Sequence, residues 1–285
     1  MIKNLAWVTT QAAHGRDEDE TAVVAALGVA GCTVEIVNWD NKAVNWSKFD
    51  RVVLRSAWDY PERLKEFLIW FDSVATISEI VNSPAIIHWN LDKNYLNELA
   101  DAGIAITPTV FVKPGDVYEF PVSEFVVKPA IGAGSRDAAS YDTKQHEIAT
   151  RHVARLHASG QTVLVQPLLN SIAEDGEWPM VFFNGKFSHA ANKRVTLPRA
   201  GSVDDLFAPE TNSPHTPTTN QLKVAQAAID FVSSKFGTTT YARVDLVLDN
   251  QGNDCVLELE LIEPSLFLYY ADAKCTHSIV EALIQ

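Results

Sequence analysis

Between residues 245 and 265 the chain reads DLVLDNQGNDCVLELELIEPS, two apolar-rich runs joined at Gln251-Gly252. The pattern is that of a β-hairpin, yet its second run carries Glu258 and Glu260 at alternate positions, with Glu263 just beyond. A symmetrical turn at Gln251-Gly252 pairs Asp249 with Asp254, Val247 with Val256, Asp245 with Glu258, and Arg243 with Glu260. Side chains alternate between the two faces of a strand. Val244, Leu246, Leu248, Cys255, Leu257, Leu259 and Leu261 therefore form one apolar face, expected to pack on a core. Arg243, Asp245, Glu258 and Glu260 form the other. Asp245 opposite Glu258 sets two carboxylates side by side, which destabilises a sheet unless one takes a proton or a cation lies between them. Asp245, Glu258 and Glu260 together offer the hard oxygen ligands that Mg2+ takes, its other positions going to water and phosphate oxygens. The competing reading is a half-exposed strand with solvated acids, in which Arg243 simply pairs with Glu260 and Glu263 is a surface acid.

Cations suited to a polyphosphate occur elsewhere. FVVKPAIGAGS places Lys128 at the end of an apolar strand, just before Gly132-Ala133-Gly134-Ser135. Small residues let backbone N–H groups approach phosphate oxygens, and a lysine adds a point charge. The stretch is neither G-x-x-x-x-G-K-[ST] nor a G-x-G-x-x-G opening a helix. Lys93 stands at a helix start in HWNLDKNYL, and Lys193-Arg194 ends a second hairpin. Each alone reads as a surface charge or an ordinary glycine turn. Beside an acidic hairpin they form a coherent set, with cations for the phosphates and carboxylates for their metal.

The elements that must position these groups follow from periodicity and punctuation. NLAWVTT, TVEIVNW and FDRVVLRSAW read as strands, and residues 17–32 and 61–74 as helices. This strand–helix–strand–strand–helix order predicts an open α/β domain over residues 1–90. A helix is expected over 90–103 and an extended piece over 106–113, then strand, glycine loop and strand through 141. A helix over 143–160 and a strand over 162–169 follow. WPMVFFNGKFSHAANKRV predicts a hairpin turning at Asn184-Gly185. Residues 199–219, rich in Pro, Thr, Ser, Asp and Asn, predict a mobile loop. A helix over 220–237, the acidic hairpin and a short final helix complete the chain. LRSAWDYPE ends a strand of the first domain, where open α/β sheets bind ligands. Arg55 there suits a substrate carboxylate and Asp59 an amine; alternatively the two pair with each other and cap a turn.

Composition bounds the partners. With 23 basic and 36 acidic residues the net charge is −13, which disfavours nucleic acid. No run of about 18 apolar residues predicts a membrane span. Three widely spaced cysteines and no secretory-type start fit a reducing cytoplasm.

The ordered series WNLDKNYL, FVVKPAIGAGS, VLVQPLL with DGEWPMVFFNG, HAANKR, and RVDLV with LELELIEPS resembles the ATP-grasp superfamily. VVLRSAWDY, WNLDKNYL and LELELIEPSLF are most similar to its subgroup containing the O-ureido-serine cyclo-ligase of cycloserine biosynthesis. Glutathione synthetase and RimK-type ligases are more distant. The resemblance covers about residues 50–270. It implies an α/β and α+β fold of three parts: an N-terminal open α/β domain (1–90), a small lid subdomain (91–165) and a C-terminal subdomain with the metal acids (166–285). ATP would lie between the last two. By the same resemblance Lys93 and Lys128 contact the α- and β-phosphates, and Gly132, Ala133, Gly134 and Ser135 form the loop over them. Gln166, Pro167, Leu168 and Leu169 form the hinge that reads adenine. Glu177 bonds the ribose, with Glu174 as a rival, and Lys193 or Arg194 serves the γ-phosphate and acyl group. Asp245, Glu258 and Glu260 match the metal acids, although many relatives have Asn where Glu260 stands. The implied activity is an ATP- and Mg2+-dependent carboxylate–amine ligation, with Mn2+ able to substitute, on an amino-acid-like small molecule. It passes through an acylphosphate and releases ADP and phosphate. A kinase that stops at phosphoryl transfer and a catalytically silent nucleotide-binding protein are the alternatives. Homodimers are common among such enzymes.

Overall fold

The computed structural model describes residues 2–195 and 210–285. The chain begins with β1 (Asn4–Thr9), α1 (Glu20–Val29), β2 (Thr33–Asn38), β3 (Arg51–Ser56), α2 (Leu64–Ala75) and β4 (Glu79–Val81). The four strands form a parallel sheet ordered β2-β1-β3-β4. β1 beyond Asn4 and all of β3 are buried on both faces, with apolar centres at residues 5–8 and 52–54, because helices cover both sides of the sheet. Leu5, Trp7, Val53 and Val81 point to the α1 side, and Ala6, Val8, Val52 and Leu54 to Phe67 and Phe71 of α2. β4 escapes sequence reading because three residues show no period.

Where one helix is expected over 90–103, two short ones occur, α3 (Pro84–Asn90) and α4 (Tyr95–Asp101). The break at 91–94 is an Asx turn: Asp92 Oδ1 accepts from Asn94 N at 2.9 Å. β5 (Val110–Val112), β6 (Phe125–Pro129), β7 (Ala139–Tyr141), α5 (His146–Ala158) and β8 (Val163–Pro167) follow. They build an antiparallel sheet ordered β5-β8-β6-β7, with α5 packed on it through Ala149, Val153 and Leu156.

The rest comprises α6 (Asn170–Glu174), β9 (Trp178–Phe183), β10 (Lys186–Val195), β11 (Glu210–His215), α7 (Thr219–Phe236), β12 (Tyr241–Leu248), β13 (Asp254–Glu260) and α8 (Lys274–Ile284). Its five strands form an antiparallel sheet ordered β11-β10-β9-β12-β13. The β9–β10 turn falls at Asn184-Gly185, both with positive φ, as the Asn-Gly signal requires. Of the loop expected over 199–219, residues 199–209 lie outside the described residues, and 210–215 are strand β11. Its polar, Pro-containing sequence hides it because it is an edge strand that draws its order from pairing with β10.

α8 returns to the first sheet and packs beside α1 through Ile279, Val280 and Leu283, so the tail is built into the N-terminal core. Tyr241 joins the layers. Fully buried on β12, its hydroxyl lies 2.9–3.0 Å from the carbonyls of Leu54, Val81 and Ile262. The free edge of β13 is satisfied by Asn90, which bonds Leu259 O and Leu261 N at 2.8 Å, and by Tyr95 Oη, which accepts from Leu259 N at 2.9 Å. α3 and α4 thereby fasten Lys93 against the acidic strand.

The β12–β13 hairpin matches the predicted register only in its inner half. Arg243 faces Glu260 and Asp245 faces Glu258, but beyond a bulge Leu246 pairs with Val256, Val247 with Cys255 and Leu248 with Asp254. The turn is one residue longer than a symmetrical one: Asp249 N donates to Asn253 O, and Asp249 Oδ1 accepts from Gln251 N and Asn253 N. Gly252, at φ 83°, completes it. The extra residue is Leu257. Cys255 and Leu257, expected on the core face, therefore turn to Leu169 and Ile172 instead. Val244, Leu246, Leu259 and Leu261 keep the core face.

Candidate active site

A cavity of about 1050 Å3 separates the β5–β8 sheet from the β9–β13 sheet and reaches Trp58 and Tyr60 of the first layer. Lys93, Lys128, Gly132 to Ser135, Gln166 to Leu169, Glu174, Glu177, Lys193, Arg194, Glu258 and Glu260 all line it. Residues from five separate stretches of the chain thus line one cavity.

The carboxylates are not left facing one another. Lys93 Nζ lies 3.0 Å from Glu258 Oε1 and donates to Gly132 O at 2.9 Å. Arg243 donates from Nε and Nη2 to the two oxygens of Asp245, at 2.7 and 3.0 Å, and from Nη2 to Glu260 at 2.5 Å. Lys193 Nζ is 2.7 Å from Glu177 and 3.5 Å from Asp245. Positive and negative groups therefore alternate from Glu260 through Arg243, Asp245 and Lys193 to Glu177. The predicted Arg243–Glu260 pairing is present, within a larger network.

Burial and neighbours tune these groups in opposite directions. Burial opposes the charge of Asp245, yet Arg243 and Lys193 hold it below the usual carboxylate range. Glu258 is likewise depressed, because Lys93 and Lys128 outweigh its burial. Burial pushes Glu260 up to about 8 despite Arg243, and Glu263 up to about 7 despite Lys93 and Arg243. Burial also lowers Lys128, which forms no ion pair among the described residues. Asp17, buried beside Arg55, is pushed up to about 6.

A pH dependence follows. Glu260, Glu263 and Asp17 hold protons more tightly folded than unfolded, so the folded state gains stability as pH falls through their folded values. The depressed acids lose theirs only below about pH 4. The ligand-free protein is expected to resist urea better at pH 6 than at pH 9, by on the order of a few kcal/mol. Urea unfolding across that range checks it, and lower stability at pH 6 contradicts the burial of these acids.

β10 separates Lys193 from Arg194. Neighbours on a strand point to opposite faces; Lys193 turns to the carboxylates, and Arg194 Nη1 donates to Ala173 O and Glu174 O at 3.2 and 2.8 Å. Leu168 in the hinge has its N–H bonded to Glu124 O at 2.8 Å and its carbonyl to Asn250 at 3.3 Å. The glycine loop is two tight turns, with Gly134 and Ser135 both at positive φ. Gly176 supports Glu177 and Lys193, which exchange backbone hydrogen bonds of 2.7 and 2.8 Å. At φ +88° a Cβ there would lie 2.9 Å from Asn192 Oδ1 and Lys193 O. Gly176→Ala is expected to cost about 1–3 kcal/mol in urea unfolding and to weaken ATP binding in the same preparation.

Three expectations are corrected. Asp245 does not line the cavity; it is 1% exposed, both oxygens engaged behind Arg243 and Lys193. Arg55 is also 1% exposed, within 3.8 Å of Asp17 and 3.6 Å of Asp19, and stacks near Trp7 and Tyr241. Asp59 accepts from Thr10, Trp39 and Arg63 at 2.7, 2.8 and 3.2 Å. Neither Arg55 nor Asp59 opens to the cavity, and they do not pair, because Arg55 lies within a strand buried on both faces while Asp59 lies in the turn after it. Conversely, Glu263, a surface acid only in the competing solvated-strand reading, lines the cavity at 7% exposure. The one sequence signal for this was its place directly after a strand whose acids already faced a site.

Residues 5–82 match the family model for the N-terminal domain of D-cycloserine synthetase DcsG. Over 94% of both chains the sequence is 35% identical to the cycloserine biosynthesis protein DcsG of Streptomyces lavendulae. The crystal structure of D-cycloserine synthetase DcsG superposes with a TM-score of 0.90 at 34% identity, covering 98% of each chain. D-alanine–D-alanine ligase from Bacillus anthracis shares the fold alone, with a TM-score of 0.67 at 14% identity over 99% of this chain and 96% of that one. Among the described residues no helix is long and apolar enough to cross a membrane. The chain therefore belongs to the DcsG family of ATP-grasp ligases.

Proposed function

We propose that the protein is an ATP- and Mg2+-dependent ligase that joins a carboxylate to a nitrogen nucleophile on an amino-acid-like small molecule, in the reducing cytoplasm where ATP is made. The observation that carries this reading is the meeting, in one cavity, of three lysines from separate elements with Glu258 and Glu260. The lysines and the glycine loop would hold the triphosphate, with adenine at the hinge against Leu169, Ile172 and Leu257. The donor set fits Mg2+, which takes one or two carboxylates and completes its shell with phosphate oxygens and water. Glu258 and Glu260 each have one oxygen in an ion pair and a second available. Asp245 would hold Lys193 and Arg243 in place. When bound, the ion would neutralise charge on the β- and γ-phosphates.

The substrate carboxylate would attack the γ-phosphorus, breaking the bond to ADP and giving an acylphosphate. A nitrogen would then attack the acyl carbon, phosphate would leave, and the nitrogen would lose a proton. Lys193 would balance charge on the transferring group, and the covering loop would keep out water that hydrolyses the intermediate. The D-cycloserine synthetase among the relatives suggests, for this chain too, a linear amino-acid derivative whose own nitrogen closes the ring.

The test is an ADP-release screen over amino-acid derivatives, with and without an internal nucleophile, followed by mass analysis. Equal release of ADP and free phosphate with a dehydrated or ring-closed product is expected. Phosphate retained on the product would make the protein a kinase, and ATP binding with no turnover on any derivative would reject the ligase reading.

A further inference from the structure

Most acids buried along the cavity have a cation or a pair of N–H donors. Glu258 has Lys93, Glu260 has Arg243, Glu177 has Lys193, and Asp19 accepts from the backbone N–H groups of Leu266 and Leu268. Glu263 differs. It is 7% exposed and lines the cavity, but it forms no ion pair among the described residues. Its carboxyl is within reach of the Tyr60 hydroxyl, itself buried at 4% exposure. The backbone around it is fixed: Ile262 O meets Tyr241 Oη at 2.9 Å, Pro264 follows directly, and Ser265 O accepts from Arg243 Nη1 at 3.1 Å. Lys93 and Arg243 attract it from a distance, but a carboxylate held this firmly with no cation in contact is costly unless something that enters the cavity supplies the missing partner.

The position narrows what that is. Glu263 lies three residues beyond Glu260 along the chain and meets the Tyr60 hydroxyl from the first layer, and Trp58 and Phe267 line the same cavity. The polyphosphate cations Lys93, Lys128 and Lys193 belong to the other elements. An amino-acid-like substrate carries one group that none of the lysines can bind, its ammonium.

We propose that Glu263, oriented by Tyr60, receives the ammonium group of the substrate and thereby selects amino-acid derivatives over the corresponding acids that lack the amine. This rests on the ligase reading above. An ammonium placed between Glu263 and the Tyr60 ring gains a charge-assisted hydrogen bond to the carboxylate and attraction from the ring. The acyl group would be directed toward Arg243 and Lys193.

The experiment compares wild type, Glu263→Gln and Tyr60→Phe on each amino-acid derivative active in the ADP-release screen and on its des-amino counterpart. Binding of a non-hydrolysable ATP analogue and the thermal midpoint are measured alongside. Wild type is expected to use the amino compound at least tenfold better. Glu263→Gln should raise its KM tenfold to a hundredfold, leave the des-amino compound unchanged, keep the ATP-analogue affinity, and keep or raise the midpoint because it removes a buried charge. Tyr60→Phe should raise KM by a smaller factor with kcat retained. An unchanged KM in Glu263→Gln, an equal loss on both compounds, or a loss of nucleotide affinity would overturn the assignment while wild-type activity left the ligase reading standing. Wild type inactive on every derivative would reject both.

Discussion

Asp245→Asn is expected to lower ADP release by about a hundredfold to a thousandfold. Asp245 is the buried anion between Arg243 and Lys193, with both oxygens engaged. Asparagine keeps one acceptor and turns an amide N–H2 toward a cation, so Arg243 and Lys193 lose the charge that holds them. Each retains another acid, Glu260 and Glu177, which limits the loss of stability to about 1–3 kcal/mol, below the cost of stranding a buried charge entirely. The variant should fold, bind ATP more weakly and turn over poorly. An ADP-release assay paired with urea unfolding checks both halves. Restoration by raised Mg2+ would show that Asp245 also contacts the metal, and wild-type turnover would remove it from the site.

Lys128→Met separates binding from stability in the opposite sense. Lys128 ends β6 beneath the glycine loop, is lowered by burial, and has Glu258 and Glu177 as its main attractions without an ion pair. Methionine keeps the length of the stem and removes a charge that is costly to bury. The dissociation constant for ATP should rise about tenfold to a hundredfold, the worth of one charge-assisted hydrogen bond. Stability without ligand should stay level or rise by under about 1 kcal/mol. Calorimetric titration with a non-hydrolysable ATP analogue and thermal unfolding measure the two quantities. A variant that unfolds easily and still binds ATP normally would make Lys128 a structural residue.

Much of the site was legible because its logic is local. The period of two on β12 and β13 placed Arg243, Asp245, Glu258 and Glu260 on one face, and the structure keeps them there. The order of Lys93, Lys128, the glycine loop and Lys193 carried the family. Other features were hidden for physical reasons. The bulge at Leu257 depends on the Asp249 side chain tightening a longer turn, which no apolar pattern records. β11 has an edge strand's polar sequence, and β4 is too short for any period. Arg55 and Asp59 sit where ligand sites are common, but strand burial and the bonds from Thr10, Trp39 and Arg63 remove them from the cavity.

The amino-acid sequence by itself determined which strands carry carboxylates, which loops carry cations, and that the two sets suit a metal-bound triphosphate, since charge and alternation are properties of neighbouring residues. Only the tertiary structure decided which cation meets which acid. Lys93 reaches Glu258 because Asn90 and Tyr95 bind the edge of β13, and Lys193 rather than Arg194 turns inward because of the pairing of β10. It also left Glu263 buried without an ion pair among the described residues, since that depends on what residues distant in the chain fail to supply.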